Sequence, residues 1–188
     1  MWRWRRAGVL SVLGVEPDLS SVLEAGRRVE KAGGGDRFFV VHAPNTTEKL
    51  CTFGDGAFGC ASAMFSLHLM SAPDRSAVLR EMARVVKPGG AVIACVPDGD
   101  AMTHAPRELV HVGEDGRARW NLDAPYFKRS CAPEAEPVLS SRRLVDEMRA
   151  AGFQGVTLIP FSSVPGFDAL SEADRRVSSL YCAAVAYV

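Results

Sequence analysis

The chain has 188 residues, 47% hydrophobic and 23% charged, enough for one soluble α/β domain with a sizeable core. Its 22 Lys and Arg balance 22 Asp and Glu, which excludes a chain-wide basic field for a polyanion and leaves any nucleic-acid contact local. Cys51, Cys60, Cys95, Cys131 and Cys182 lack CxxC spacing, which argues against a disulfide framework and for a reducing, intracellular setting.

The opening MWRWRRAGVLSVLG is broken at Gly14, ends at Glu16-Pro17-Asp18 and has no small-residue cleavage site, so it does not read as a signal peptide. No segment is long and apolar enough to span a membrane, and a soluble protein is expected. Val9 to Val15 reads as a strand closing on Glu16. A helix then starts at Pro17, Asp18 and Ser20 and runs to about Lys31, with Val22, Leu23 and Ala25 among its apolar positions. Gly33-Gly34-Gly35 reads as the turn into a second strand ending in RFFVVH at His42, and Thr46 to Leu50 as a short helix or turn.

Cys60 to Phe65 is a short apolar run that predicts a strand buried on both faces. Ser71 to Asp74 supplies turn and N-cap chemistry for a helix with Val78, Leu79, Met82, Val85 and Val86 on one face and Arg80, Glu81 and Arg84 on the other. Lys87-Pro88-Gly89-Gly90 should end that helix, and Ala91 to Val96 follows as another buried strand. Together these make a right-handed βαβ unit of a parallel sheet. Gly113-Glu114-Asp115-Gly116 predicts a hairpin between two short strands, and Ser140 or Ser141 caps a helix ended by Gly152. Val156 to Phe161 and the apolar SSLYCAAVAYV read as the last two strands, with a loop and a short helix between them.

The run LREMARVVKPGGAVIACV resembles the helix and fifth strand of class I S-adenosylmethionine (SAM) methyltransferases, and VLSVLGVEPDLSSVLEAGRR is similar to the second strand and following helix of that fold. Within the superfamily, SAMFSLHLM and VPDGDAM look like segments of the mRNA cap guanine-N7 methyltransferases. The resemblance implies a Rossmann-like sheet ending in an antiparallel strand, with SAM as cofactor and the capped RNA 5′ end (GpppN) as partner. It implies neither membrane nor DNA as a partner, and a nuclear or cytoplasmic place. One domain would span 1–188, with a substrate-side insertion around 101–139.

The resemblance also places site residues. Glu16, ending its strand, takes the role of the carboxylate that accepts the ribose hydroxyls. Asn45 stands near the adenine, beside Pro44 where the family has an acidic residue, and can accept from the amino group through its carbonyl. Met64 and Phe65 pass close to the cofactor, Met64 standing for a family Gln. His68 lies by the guanine. Glu136, with Glu134 in reserve, accepts from guanine N1 and its amino group and stabilises the cation that N7 methylation creates. Tyr181 lines the cap pocket. No catalytic acid, base or metal is implied, because guanine N7 carries a lone pair and no proton.

One family element is missing. Members begin with a first strand and a D-x-G-x-G-x-G turn, whereas WRWRRAGVLSVLGVEPD looks like the following helix entered midway, with Trp4 at the family's Trp. In this fold the first strand lies between the second and fourth, so its loss would leave two strand edges unpaired. The expectation is a fragment or truncated reading frame. A partner chain that supplies the missing piece, or a rearranged fold, are the alternatives. The competing functions are a small-molecule SAM methyltransferase and an inactive methyltransferase-like partner subunit.

Overall fold

The computed structural model describes residues 9–105, 107, 110–120, 138–163, 167–169, 171 and 180–188. They fall into two compact units, one through Phe53 and one from Gly54.

In the first unit β1 (Val12–Glu16) pairs in parallel with β2 (Phe38–His42), from Val12↔Phe38 to Glu16↔His42. The crossover is α1 (Leu19–Lys31). Asp18 starts it by accepting from the Ser21 amide at 2.8 Å, which satisfies one of the amides a helix N-terminus leaves open. Glu24 and Arg28 pair one turn apart on its outer face. The glycine turn expected after the helix is present: Gly33 has φ +64°, and a Cβ on Gly34 would come within 2.8 Å of the Phe38 ring. A short helix, α2 (Thr46–Cys51), follows as expected.

In the second unit four strands lie in the order β3-β4-β8-β7. β3 (Phe58–Met64) and β4 (Val86–Pro97) are parallel; β8 (Tyr181–Tyr187) is antiparallel to β4 and to β7 (Gln154–Pro160). Between β3 and β4 come a 3-10 turn, Leu67–Leu69, and α3 (Ala72–Val85), capped by Ser71. After β4 come α4 (Gly99–Met102), a hairpin of β5 (Val110–Val112) and β6 (Ala118–Trp120), and α5 (Ser141–Ala150). Ser140, rather than Ser141, caps α5, and Gly152 with φ +99° follows its end. The core gathers Val92, Ala94 and Val96 of β4, Leu79 and Val85 of α3, Leu144 and Met148 of α5, and Ala184 and Ala186 of β8. The α/β fold class expected from the sequence, with a mixed sheet and an antiparallel last strand, is the one observed.

Two local readings change. The KPGG segment was expected to separate helix from strand, but β4 already begins at Val86, and Lys87 to Gly90 form an irregularity inside it. Pairing jumps there from Phe58↔Val86 to Cys60↔Ala91, with Gly89 at φ +76°. A Cβ on Gly90 would come within 2.6 Å of the Gly59 carbonyl oxygen, so the backbones need a glycine to lie this close. The second change is β3, expected to be buried on both faces. Of its residues only Ala63 is buried, and Cys60 and Met64 are exposed.

The reason is pairing. Among the described residues β3 has one ladder partner, β4, and β1 has one, β2.

Candidate functional site

In an open α/β sheet the carboxyl ends of parallel strands are where loops converge and ligands bind. In the second unit those ends carry Met64-Phe65 after β3 and Asp98-Gly99 after β4. Phe65 is held there in an unusual backbone state, with φ +57°, while its amide donates to the Cys95 carbonyl at 2.9 Å. A side chain in the left-handed region costs about 1–2 kcal/mol and persists only where its surroundings over-determine it.

The strained backbone aims the Phe65 ring at two others. Its centroid lies 5.2 Å from that of Tyr181, edge-on at 84°, and 5.9 Å from that of Phe161. Phe161 and Tyr181 complete the group at 6.3 Å. Edge-to-face contact suits the ring quadrupoles. Phe65 nevertheless keeps 40% of its surface exposed and Met64 keeps 49%. Of the residues expected at a site, Phe65 and Tyr181 are thus in contact. Phe161 was not expected; it arrives from the end of β7, and only strand pairing brings it there.

His68 sits in the 3-10 turn after Phe65. Burial, and second to it the nearby Arg75 cation, together lower its pKa to about 4. At neutral pH the imidazole is uncharged and a weak base. Arg75 itself is only 2% exposed and is the one fully buried charged side chain among the described residues. The first residue of the 67–69 turn, Leu67, and Met70 just beyond it offer their carbonyls to Arg75 Nη1, at 3.5 and 2.9 Å. Glu147 of α5 takes the rest of the guanidinium.

Asp98 organises the end of β4. Its amide donates to the Leu180 carbonyl at 2.8 Å, and its carboxylate accepts from the Asp100 amide at 3.2 Å and the Ser141 amide at 3.3 Å. One carboxylate therefore satisfies amides at two helix starts. The sequence offered a ligand-facing loop or a plain turn here, and did not include this capping role.

In the first unit Glu16 ends β1, as expected. Its Oε1 accepts from the Asp18 amide at 3.0 Å, and Oε2 makes no hydrogen bond among the described residues. Asn45 caps α2: Oδ1 accepts from the Glu48 amide at 3.2 Å while Nδ2 donates to the Glu48 carboxylate at 3.0 Å. Its amide thus has a structural duty that the sequence reading did not include. Glu136 and its reserve Glu134 lie outside the described residues, as do Trp4 and Cys131.

The buried thiols, Cys95 and Cys182, read as packing groups. Burial pushes Cys182 up to about 12 and raises Cys95, which keeps both protonated. Among the described residues no three His, Cys, Asp or Glu side chains form a candidate metal site, and no helix is long and apolar enough to cross a membrane.

Residues 2–90 match the family model described as a methyltransferase domain. No curated protein matches the chain in sequence. Among solved structures, an S-adenosylmethionine dependent methyltransferase from Mesorhizobium loti is 16% identical with a TM-score of 0.66, covering 100% of this chain and 85% of that one. The [4+2]-cyclase SpnF is 19% identical with a TM-score of 0.65, over 99% of this chain and 70% of that one. An O-methyltransferase family protein from Burkholderia thailandensis is 17% identical with a TM-score of 0.62, over 98% of this chain and 45% of that one.

SAM is the cofactor that this fold and domain imply. The residues present suit its adenosine half: Glu16 ends a parallel strand just before a helix and keeps one carboxylate oxygen open for a ribose hydroxyl. No glycine-rich strand-to-helix turn for the methionine half occurs among the described residues; β1 enters α1 through Pro17 and Asp18. The chain has the Rossmann-like fold of the class I SAM-dependent methyltransferases, and its residues 2–90 are similar to a methyltransferase domain.

Proposed function

We propose that this chain is a SAM-dependent methyltransferase whose acceptor is a planar nitrogen heterocycle, guanine N7 of the RNA 5′ cap being the specific case. The observation that carries the reading is the Phe65, Phe161 and Tyr181 group at the carboxyl ends of the sheet, with one ring held out on a strained backbone. A partly exposed ring in an edge-to-face group suits contact with a flat, aromatic partner.

When bound, SAM supplies an electrophilic methyl group. Glu16 would hold the ribose and Asn45 would meet the adenine, while Met64 and Phe65 would pack against the cofactor. On the acceptor side Tyr181 and Phe161 would fix the ring plane, with His68 at its edge and Glu136 on the guanine donor edge. Such positioning is the main contribution required, because N7 attacks through a lone pair and releases no proton.

His68 favours nitrogen over a phenolic oxygen. An imidazole with a pKa of about 4 is too weak a base to take a phenol proton efficiently at neutral pH. Being uncharged, it also does not repel the cation that N7 methylation leaves behind. The second reading is a small-molecule acceptor, favoured by the balanced charge of the chain and by its likeness to an O-methyltransferase family protein.

The test is transfer from labelled SAM to GpppG-capped RNA, using residues 1–188 and a version extended upstream. Label on guanine N7 supports the reading. SAM binding with no label on RNA, but label on free phenols or carboxylates, replaces it with the second. Absence of SAM binding by both versions moves the assignment to an inactive partner subunit.

A further inference from the structure

A buried, always-charged side chain needs a reason, since removing Arg from water is costly unless every donor is met. Arg75 meets its donors in two directions. Nε and Nη2 form a fork on the Glu147 carboxylate, with Nη2 to Oε1 at 2.8 Å. Nη1 points the other way, donating to the Met70 carbonyl at 2.9 Å and, more weakly, to that of Leu67 at 3.5 Å. These two carbonyls bracket the turn that carries His68. Arg143 Nε also reaches Glu147 Oε1, at 3.0 Å, which holds the carboxylate from the solvent side.

The same turn is gripped from a second side. Leu69 packs against the buried cluster of Met102, Val110, Ala118 and Val138, formed by α4, the β5–β6 hairpin and the approach to α5. Within the turn the backbone bonds are Leu69 N to Ser66 O at 3.0 Å and Met70 N to Leu67 O at 3.2 Å, and the Leu67 side chain is fully buried. A single 3-10 turn is intrinsically weak. The guanidinium, bonded to a carbonyl at each end of the turn, is therefore one of the groups that hold it in place.

We propose that Arg75, clamped by Glu147, is a positioning residue that fixes the Leu67–Met70 turn and thereby sets where His68 and the segment around Leu69 meet the acceptor. The inference rests on the proposed methyl transfer for its catalytic consequence, and on the structure alone for its mechanical part. Glu147 is the coupling element: it sits on α5, so the position of α5 against α3 is transmitted to the turn.

The informative variant is Arg75→Lys. An ammonium keeps the charge against Glu147 but cannot fork on the carboxylate and reach both carbonyls at once. Arg75→Met/Glu147→Leu, which replaces the pair by apolar side chains, serves if the lysine variant does not fold. Hydrogen exchange on the SAM-free protein gives the first readout. The amides of Leu69 and Met70 should exchange at least 10-fold faster, while those of Val78, Leu79 and Leu144 keep their protection. The second readout is kinetic: KM for the acceptor rises at least 5-fold with SAM affinity unchanged by calorimetry.

Unaltered protection at Leu69 and Met70 overturns the proposal. So does a uniform loss of protection across α3 and α5, which marks Arg75 as a stability element only, and so does an unchanged acceptor KM alongside a loosened turn. If the wild-type chain methylates nothing, the function proposed above falls on that result alone, and exchange still decides whether Arg75 fixes the turn.

Discussion

Gly99 lies so close to Val138 that a Cβ on it would stand 2.5 Å from the Val138 carbonyl oxygen, with Ser140 N at 3.1 Å. The Gly99 amide meanwhile donates to the Leu139 carbonyl at 3.1 Å. The loop after β4 and the approach to α5 are thus joined backbone to backbone. The obstacle to any side chain is main chain, which cannot swing aside.

Gly99→Ala should therefore destabilise the protein by about 2–3 kcal/mol, at the upper end of overpacking costs. Urea denaturation would show a lower midpoint with the slope unchanged. A midpoint within error of wild type would mean that the approach to α5 yields more easily than its contacts indicate.

Phe65→Gly separates strain from function. Glycine tolerates φ +57°, so the variant recovers about 1–2 kcal/mol of strain while losing ring contacts worth about 0.5–1.5 kcal/mol and chain entropy of about 0.5–1 kcal/mol. Stability should stay within about 1 kcal/mol of wild type, whereas methyl transfer should fall at least about 10-fold as the aromatic group loses its outer ring. Calorimetric melting and a single-turnover assay on the same sample would separate the two effects.

His68 makes stability depend on pH in a defined direction. The folded state keeps the imidazole neutral down to about pH 4, while the unfolded chain protonates near its ordinary 6.5. Between those values the unfolded state binds more protons, so stability rises with pH. The contribution is complete above about 6.5 and is lost as pH falls toward 4, on the order of 3 kcal/mol in all. His68→Gln should flatten this part of the profile. Equal slopes for variant and wild type between pH 6.5 and 4 would show that another group titrates there.

Glu16→Ala tests the nucleoside assignment. Removing the carboxylate proposed to accept from ribose should weaken SAM binding about 10–100-fold, since hydrogen bonds to charged groups contribute about 1.5–3 kcal/mol. Only the Asp18 amide contact is lost in the free protein, so the melting temperature should move little. Isothermal titration would show the effect, and undiminished affinity would place the ribose elsewhere.

What the sequence made legible is local. The capping groups Asp18, Ser71 and Ser140, the turn glycines Gly33 and Gly152, and the GEDG hairpin each follow from a few neighbouring residues, and each appears where expected. The KPGG segment was misjudged because breaker residues mark a change of direction without saying whether it is a turn or a bulge inside a strand. β3 was misjudged because an apolar run tells how a strand would like to be buried, and pairing decides whether it is.

The candidate site divides the same way. Phe65 and Tyr181 were named from motifs and their rings lie in contact, but Phe161 joins them only through β7 and β8 pairing, with Pro160 opposite Cys182. Arg75 did leave a signal. It precedes Val78, Leu79 and Met82 by three, four and seven positions, so it lies on the apolar face of α3, where a cation demands a partner. That partner, Glu147, is 72 positions away and could not be paired with it from spacing alone.

β4 takes one neighbour from each side of the chain: Cys95 sits opposite Met64 on β3 and opposite Ala183 on β8. During synthesis the first ladder can close as soon as β4 emerges from the ribosome, while the second must wait until β8 at Tyr181–Tyr187 has followed. Until then the most buried strand of the protein has an open flank. Because closing so long a loop is slow relative to local pairing, the β4 flank is expected to pair late in folding, when β8 docks on it.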